Sequence, residues 1–366
     1  MIDLFMKYMV PRVSVLVPIY NVEKYIRRCA ASLFEQSYHN LEYVFVNDCS
    51  PDNSIDVLKD VISHYPNRSS QIKIIDHDKN RGLAAARNTG VANCTGVFIV
   101  HVDSDDYLEP NAVELLVNQQ LATGADIITG MALMHTQDKD ILMPHSPYKN
   151  KEEMVLYMMQ PSGCHSIWLR LIRKSLYEQH GISAMEGVNY AEDCWVMTRL
   201  SYYASSFSFI DEVVYHYDCT RDDSYMASNR GGINKILIND VIVTAEKIID
   251  FFRDKELLYY EKANQEAVKF IEYNLMRAVH ASDSELFGKL LTSLKAFDKK
   301  YWVDIGWDNS IKRVLSQNMY SCRVMLFLMS IYYRIQAYRK LLKPYDILQV
   351  SSMSSVILSL FIYNHS

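Results

Sequence analysis

Between residues 12 and 129 strand-type and helix-type patterns alternate, and this alternation limits the fold more than any other feature of the chain. "VSVLVP" (13–18) is a short β-branched run closed by proline. The following "NVEKYIRRCAASLFEQ" places Val22, Tyr25, Ile26, Cys29, Ala30, Leu33 and Phe34 at i, i+3, i+4, i+7 spacing, the stripe of a helix with one face on a core. "LEYVFVND" (41–48) predicts a second strand, and "SPDNSIDVLKDVISHY" a second helix with Ser50 as its N-cap and Pro51 in its first turn. Three further strands are predicted at 72–76, 96–100 and 125–129, with helices over 81–94 and 110–123. The pattern predicts the α/β class: a mainly parallel, Rossmann-like sheet with helices on both faces.

Ligands of such sheets bind beyond the carboxyl ends of the strands. Three predicted strands end in polar clusters, "PIYN" (18–21), "NDCS" (47–50) and "DSDD" (103–106), which would meet at one rim. The phosphate loops of dinucleotide and P-loop enzymes are missing: neither GxGxxG nor GxxxxGK[ST] occurs. In "HVDSDDYLEP" (101–110), Asp103 and Asp105 stand two apart and can project to one side of an extended chain. Carboxylates so close repel unless a cation lies between them or one takes a proton. Two readings stand on these residues alone. One is a Mg²⁺ or Mn²⁺ site completed by phosphate oxygens; the other is a solvated strand end in which Asp106 caps a local turn.

The net charge of −5 over 366 residues provides no global basic field, so nucleic acid is not expected as a partner. Seven scattered cysteines without a CxxC pair exclude a disulfide framework and a zinc knuckle. Together with "MIDLFMKYMVPR", which has no long apolar core and no small-residue cleavage site, they lead to the expectation of a cytoplasmic protein.

Read together, "VSVLVPIYNVEKYIRRCAASLFEQSYHNLEYVFVNDCSPDNS", "NRGLAAARNTGVANCTGVFIVHVDSDDYLEP" and "YAEDCW" resemble the inverting glycosyltransferases of family 2, of the bacterial surface-polysaccharide type, over roughly residues 12–225. The resemblance implies the GT-A fold, a UDP-sugar donor, a Mn²⁺ or Mg²⁺ ion and single-displacement transfer to a glycan or lipid-linked glycan. It puts Pro18, Tyr20 and Asn21 at the base and ribose, and Asp48 at the uracil edge. It puts Arg87 and Asn88 at the nucleotide, and Asp103 and Ser104 at the ribose. Asp105, with Asp103, becomes the metal ligand of a DXD-type motif. Asp193 becomes the general base, because a sugar hydroxyl is a weak nucleophile until a carboxylate takes its proton. Glu192, Trp168 and Arg170 fall on the acceptor side, Arg170 where the family usually has lysine. In "YHYDCTRDDSYM" the family's arginine after the second tyrosine is Asp218, so Arg221 is expected at the pyrophosphate and His216 as an additional metal ligand.

Residues 1–230 are thus expected to form the nucleotide-sugar domain and 231–366 a helical region. Three amphipathic helices are predicted in the latter, the last introduced by Ser282 with Glu285 in capping-box spacing. Residues 320–366 hold five basic residues against one acid, and their apolar runs are too short to span a bilayer of ~30 Å. Surface contact with an anionic membrane is expected of this tail, with a homo-oligomer interface as the rival. Two other functions compete with the transferase: a sugar nucleotidyltransferase, whose glycine- and lysine-rich loop "VPIYNVEKY" does not supply, and an inactive nucleotide-sugar-binding module, against which Asp103, Asp105 and Asp193 argue.

Overall fold

A computed structural model describes residues 10–144, 148–160, 165–188, 190–220, 234–298 and 301. Nine strands form one sheet of order β3-β2-β1-β4-β8-β6-β9-β5, with β7 (Asp140–Met143) paired to β6. β1 (Val13–Ile19), β2 (Leu41–Asn47), β3 (Ile72–Asp76) and β4 (Phe98–His101) are the predicted parallel half. β8 (Arg170–Arg173) joins β4 to β6 (Ile127–His135) antiparallel to both, and β9 (Phe207–Asp218) runs parallel to β6. The two-residue β5 (Tyr107–Leu108) pairs antiparallel with β9.

Side-chain alternation divides the core into two layers. Val13, Val15 and Val17 point to one face with Tyr43, Phe45, Phe98 and Val100. Helices α1 (Ile26–Phe34), α2 (Ser54–Ser63) and α4 (Ala112–Thr123) cover that face through Ile26, Leu33, Leu58, Val61, Val113 and Leu116. Leu16, Val44, Val46 and Ile99 point to the other face. It is covered by α3 (Leu83–Asn93), α5 (Lys151–Met158), α6 (Lys174–His180) and α7 (Glu192–Tyr203). Every residue of the stripe predicted from Val22 to Phe34 is buried except Tyr25, which is half-buried. α3 lies unusually close to β1: a Cβ on Gly90 would stand 2.4 Å from Leu16 carbons.

Two predicted caps are corrected. α2 begins at Ser54 behind Asn53, and Ser50 does not cap it. Instead the Ser50 hydroxyl accepts from the Asn21 amide (2.8 Å) and donates to Asp52 (2.6 Å), tying the end of β1 to the end of β2. In the C-terminal part, α10 (Ser284–Lys295) is capped by Asp283, which accepts from the Leu286 amide, one residue later than the predicted Ser282.

The other two predicted helices are α8 (Lys235–Phe252), capped by Asn234, and α9 (Leu257–His280). The chain divides into two compact units at Ala267/Val268, within α9. In the second unit α10 buries Leu286, Phe287, Leu290 and Leu294 on one stripe. The basic tail and Arg221 lie outside the described residues. No helix of the described residues is long and apolar enough to cross a membrane.

Candidate functional site

The register sets the rim. Ile19 stands opposite Asn47 and Asn47 opposite Asp76, so β1, β2 and β3 end in line. β4 pairs with β1 only as far as Leu16↔His101, and the chain parts from β1 after the Val102 amide reaches the Leu16 carbonyl. Strand order reverses here, since the chain leaves β1 toward β2 and β3 and returns on the other side as β4. This is the switch point at which open α/β sheets bind ligands. Of four non-glycine residues in left-handed backbone among the described residues, three, Asn21 (φ 55°), Cys49 (φ 56°) and Ala191 (φ 65°), are or adjoin predicted site residues. Such conformations are sustained where surrounding structure over-determines them.

On the β1–β3 side, Pro18 is buried opposite Val46, whereas Tyr20 is 47% exposed and presents its ring outward. Asp48 is buried, and its carboxylate organises a loop. Oδ1 meets His77 Nδ1 (2.7 Å) and the Arg81 amide (2.8 Å), and Oδ2 accepts from the Gly82 amide (2.8 Å). His77 Nε2 in turn meets the Thr89 hydroxyl at 2.9 Å. The residue expected at the base edge therefore also pins the entry to α3. Asn88 makes a reciprocal pair with Ala184, accepting from its amide (2.8 Å) and donating to its carbonyl (2.9 Å). Its amide thus holds the 184 segment against α3.

Arg87 is the node of the site. Its side chain is 7% exposed; Nη2 donates to Asp103 at 2.8 Å and Nη1 to Glu192. One guanidinium from α3 therefore joins the acidic turn after β4 to the first turn of α7. The charges of Asp103, Glu192 and Asp193 all stabilise its cationic form against burial. One cation among three carboxylates leaves excess negative charge, and the most buried of them, Glu192, is pushed up to about 7 by burial and by Asp193, against the pull of Arg87. Asp193 is half-buried beside it, Oδ1 accepting from the Cys194 amide at 2.8 Å.

In the acidic turn, Ser104 is buried and Asp103 and Asp105 are half-buried. Asp106 is 1% exposed, and its oxygens accept from Tyr215 Oη (2.8 Å) and the Asp218 amide (2.9 Å). Burial, then the charges of Asp105 and Asp103, push its carboxyl well above the usual range. Tyr215 Oη also accepts from the Asp103 amide at 3.1 Å. Asp218, where the resemblance has arginine, accepts from Arg28 of α1 at 2.5 Å. Among the described residues no group of three or more His, Cys, Asp or Glu side chains gathers into a metal cage.

Other expected residues sit deeper than the sequence implied. Trp168 is 7% exposed and stacks on Tyr215 with ring centroids 4.2 Å apart, and Arg170 is fully buried in β8. Both ring nitrogens of His216 have protein partners. Its Nδ1 meets His135 Nε2 (2.9 Å), its Nε2 meets Glu109 (2.7 Å), and its ring stacks on Tyr107 at 4.3 Å. Sequence reasoning missed His77, Tyr215 and Arg28. Alternation in "VVYHYD" could have placed Tyr215 and Tyr217 on one face; nothing local marks His77 or Arg28.

Residues 14–181 match the family model described as glycosyl transferase family 2. EpsH of Bacillus subtilis (strain 168), whose name assigns it to the glycosyltransferases, is 34% identical over 218 residues, 57% of this chain and 60% of that protein. Glycosyltransferase GlyA of Streptococcus pneumoniae serotype 4 is 34% identical over 180 residues, 46% of this chain and 25% of that protein. The chain therefore spans about three fifths or less of the length of these curated relatives. Staphylococcus aureus TarS 1–349, solved with UDP-GlcNAc, superposes with TM-score 0.63 at 18% identity, over 88% of this chain and 91% of that one. The mannosyltransferase PcManGT from Pyrobaculum calidifontis, solved with GDP-Man and Mn²⁺, gives 0.51 at 18% identity over 87% of each chain. At that identity the superpositions establish the fold alone. Through residues 14–181 this chain is similar to glycosyl transferase family 2, and its fold is that of the GT-A glycosyltransferases.

Proposed function

We propose that the chain is an inverting glycosyltransferase of polysaccharide synthesis that takes a sugar from a nucleotide diphosphate, UDP by preference, and passes it to a hydroxyl of a glycan or lipid-linked glycan. The observation that carries this reading is the Arg87 bridge: one guanidinium bonds both Asp103 of the acidic turn and Glu192, the neighbour of Asp193. A donor-phosphate end and a proton-accepting end thus flank a single side chain. The neighbours solved with UDP-GlcNAc and with GDP-Man and Mn²⁺ support a nucleotide-sugar donor.

The donor set fits a divalent ion of the Mg²⁺ or Mn²⁺ kind, which binds through one or two carboxylates plus substrate phosphates and needs no protein cage. Asp105 and Asp103 would hold it, and when bound it neutralises charge on the leaving diphosphate. Tyr20 offers a ring for the base, and Asp48 fixes the loop that borders it. Asp193, half-buried in the first turn of α7, takes the acceptor proton as the hydroxyl attacks. Arg87 holds Asp103 and Glu192 so that the two ends keep their spacing. The +4 tail at 320–366 supports attachment to an anionic membrane surface, with another copy of the chain as its rival occupant.

Asp193→Asn tests the reading. Loss of a general base lowers single-turnover transfer by about 10²–10⁴-fold, and UDP affinity measured by calorimetry should stay the same. Near wild-type transfer by this variant would refute the catalytic assignment. UDP binding that ignores Mn²⁺, in wild type and in Asp105→Ala alike, would refute the metal assignment.

A further inference from the structure

The acidic turn carries three carboxylates in four residues, so its shape needs holding from outside. Two attachments do this. On the buried side, Asp106 bonds Tyr215 Oη and the Asp218 amide, fastening the turn to β9. On the solvent side stands Arg28 of α1. Its Nη2 donates to the Asp105 carbonyl oxygen at 3.1 Å and to Asp218 Oδ2 at 2.5 Å, and its guanidinium lies 4.4 Å from the centre of the Tyr107 ring. A cation over an aromatic face has a preferred plane, so the stack on Tyr107 restricts where the two donated bonds can point.

An exposed ion pair alone contributes little. This pair differs because its acid is embedded. The Asp218 side chain is 8% exposed, and its other oxygen accepts from both the amide (3.0 Å) and the hydroxyl (2.6 Å) of Thr220. Burial alone would raise its carboxyl, but the bonds from Thr220 and Arg28 outweigh it and keep the group below the usual range. Arg28 therefore bonds to an ionised, fixed acid on one side and to the backbone of the acidic turn on the other.

We infer that Arg28 is a positioning residue for the donor site: by joining the Asp105 carbonyl and Asp218 through one guanidinium, it sets the aim of the Asp103 and Asp105 carboxylates. The step to the donor rests on the function proposed above; the hold on the turn does not. Hydrogen–deuterium exchange on the full chain separates the two. Arg28→Gln should raise exchange several-fold in peptides covering 103–108 and 214–220, leaving β1 to β3 unchanged. Arg27→Gln is the control, since Arg27 pairs with exposed Asp60 across the α1–α2 surface; it should change neither peptide.

With Mn²⁺ and UDP as probes, Arg28→Gln should weaken UDP on the order of tenfold, the cost typical of losing a residue that orients a metal ligand, and leave uridine affinity as it was. Unaltered exchange in Arg28→Gln overturns the hold on the turn. Altered exchange with unaltered UDP affinity overturns the link from turn to donor. If the wild-type chain binds no nucleoside diphosphate, the donor-site reading and the link both fall, while the exchange data still decide whether Arg28 holds the turn.

Discussion

Glu192→Gln should stabilise this protein at pH 8 although it removes an ion pair. The folded carboxyl is pushed up to about 7 from a reference of 4.5, chiefly by burial and secondarily by Asp193, despite Arg87. A group raised on folding contributes stability that is complete below its unfolded value, and that contribution disappears as pH rises through the folded value. At 1.36 kcal/mol per tenfold change in proton affinity, the difference between 4.5 and 7 amounts to about 3 kcal/mol. Wild type should therefore lose roughly that much from this one group between pH 4.5 and 8. Glutamine mimics the protonated acid at every pH, so the stability gap between variant and wild type should grow by about 3 kcal/mol in the variant's favour over that window. Urea unfolding followed by tryptophan fluorescence reads it, with Trp195 on the same helix as a local reporter. Comparing the two chains at each pH cancels the acids that titrate the other way, such as Asp218 and Glu42, whose carboxyls are held low. A variant less stable at pH 8, with a gap that closes on acidification, would mean that Arg87 outweighs burial and that the reasoning has the sign wrong.

Three further outcomes are expected. Gly90→Ala places a methyl 2.4 Å from the carbons of fully buried Leu16, so despite the better helix propensity of alanine it should cost about 1–3 kcal/mol in denaturant unfolding; no loss would mean that α3 can lift off β1. Ala191→Gly relieves a left-handed residue (φ 65°) at the head of α7 and should gain about 1 kcal/mol, whereas a loss would show that the alanine methyl is packed. Asp106→Asn keeps the shape of a protonated acid between Tyr215 and the Asp218 amide, and should cost no more than about 1 kcal/mol with Mn²⁺–UDP affinity retained; abolished binding would make Asp106 a ligand.

How far these features were legible in the sequence depends on how local they are. β1, β2 and β4 were readable because a buried parallel strand is a near-continuous apolar run, β3 by its isoleucines although it is only half-buried, and α1 because its stripe is periodic. β5 is two residues long, and β8 reads "RLIR", with charge at both ends of a strand whose Arg170 is nevertheless fully buried. Neither carries a pattern of its own, and each exists because a neighbouring strand supplies its bonds. β9 is longer, but its pairing with β6 bridges about 80 residues and is interrupted by register shifts. The site divides in the same way. The acidic turn and the Glu192–Asp193 pair are local clusters, visible in a single short stretch of chain. Arg87 as a bridge between residues 16 and 105 positions away is not, because a guanidinium's partners depend on packing between layers.

That bridge changes the account of why so acidic a turn is tolerated. From sequence, Asp103, Asp105 and Asp106 standing together pointed either to a cation between them or to a solvated strand end in which Asp106 caps a turn. In the fold, the charges of two of them are met by separate devices of the protein, and the backbone of the turn by a third. Asp106 is buried deeply enough to favour its proton, Asp103 bonds Arg87, and the Asp105 backbone receives Arg28. On the function proposed above, a donor cation would meet a turn whose charge the fold has already reduced at Asp106 and Asp103, and would share it with the phosphates it accompanies. On that proposal the turn would hold a nucleotide-bound cation, which needs only one or two protein carboxylates beside its phosphates, more readily than the cation by itself.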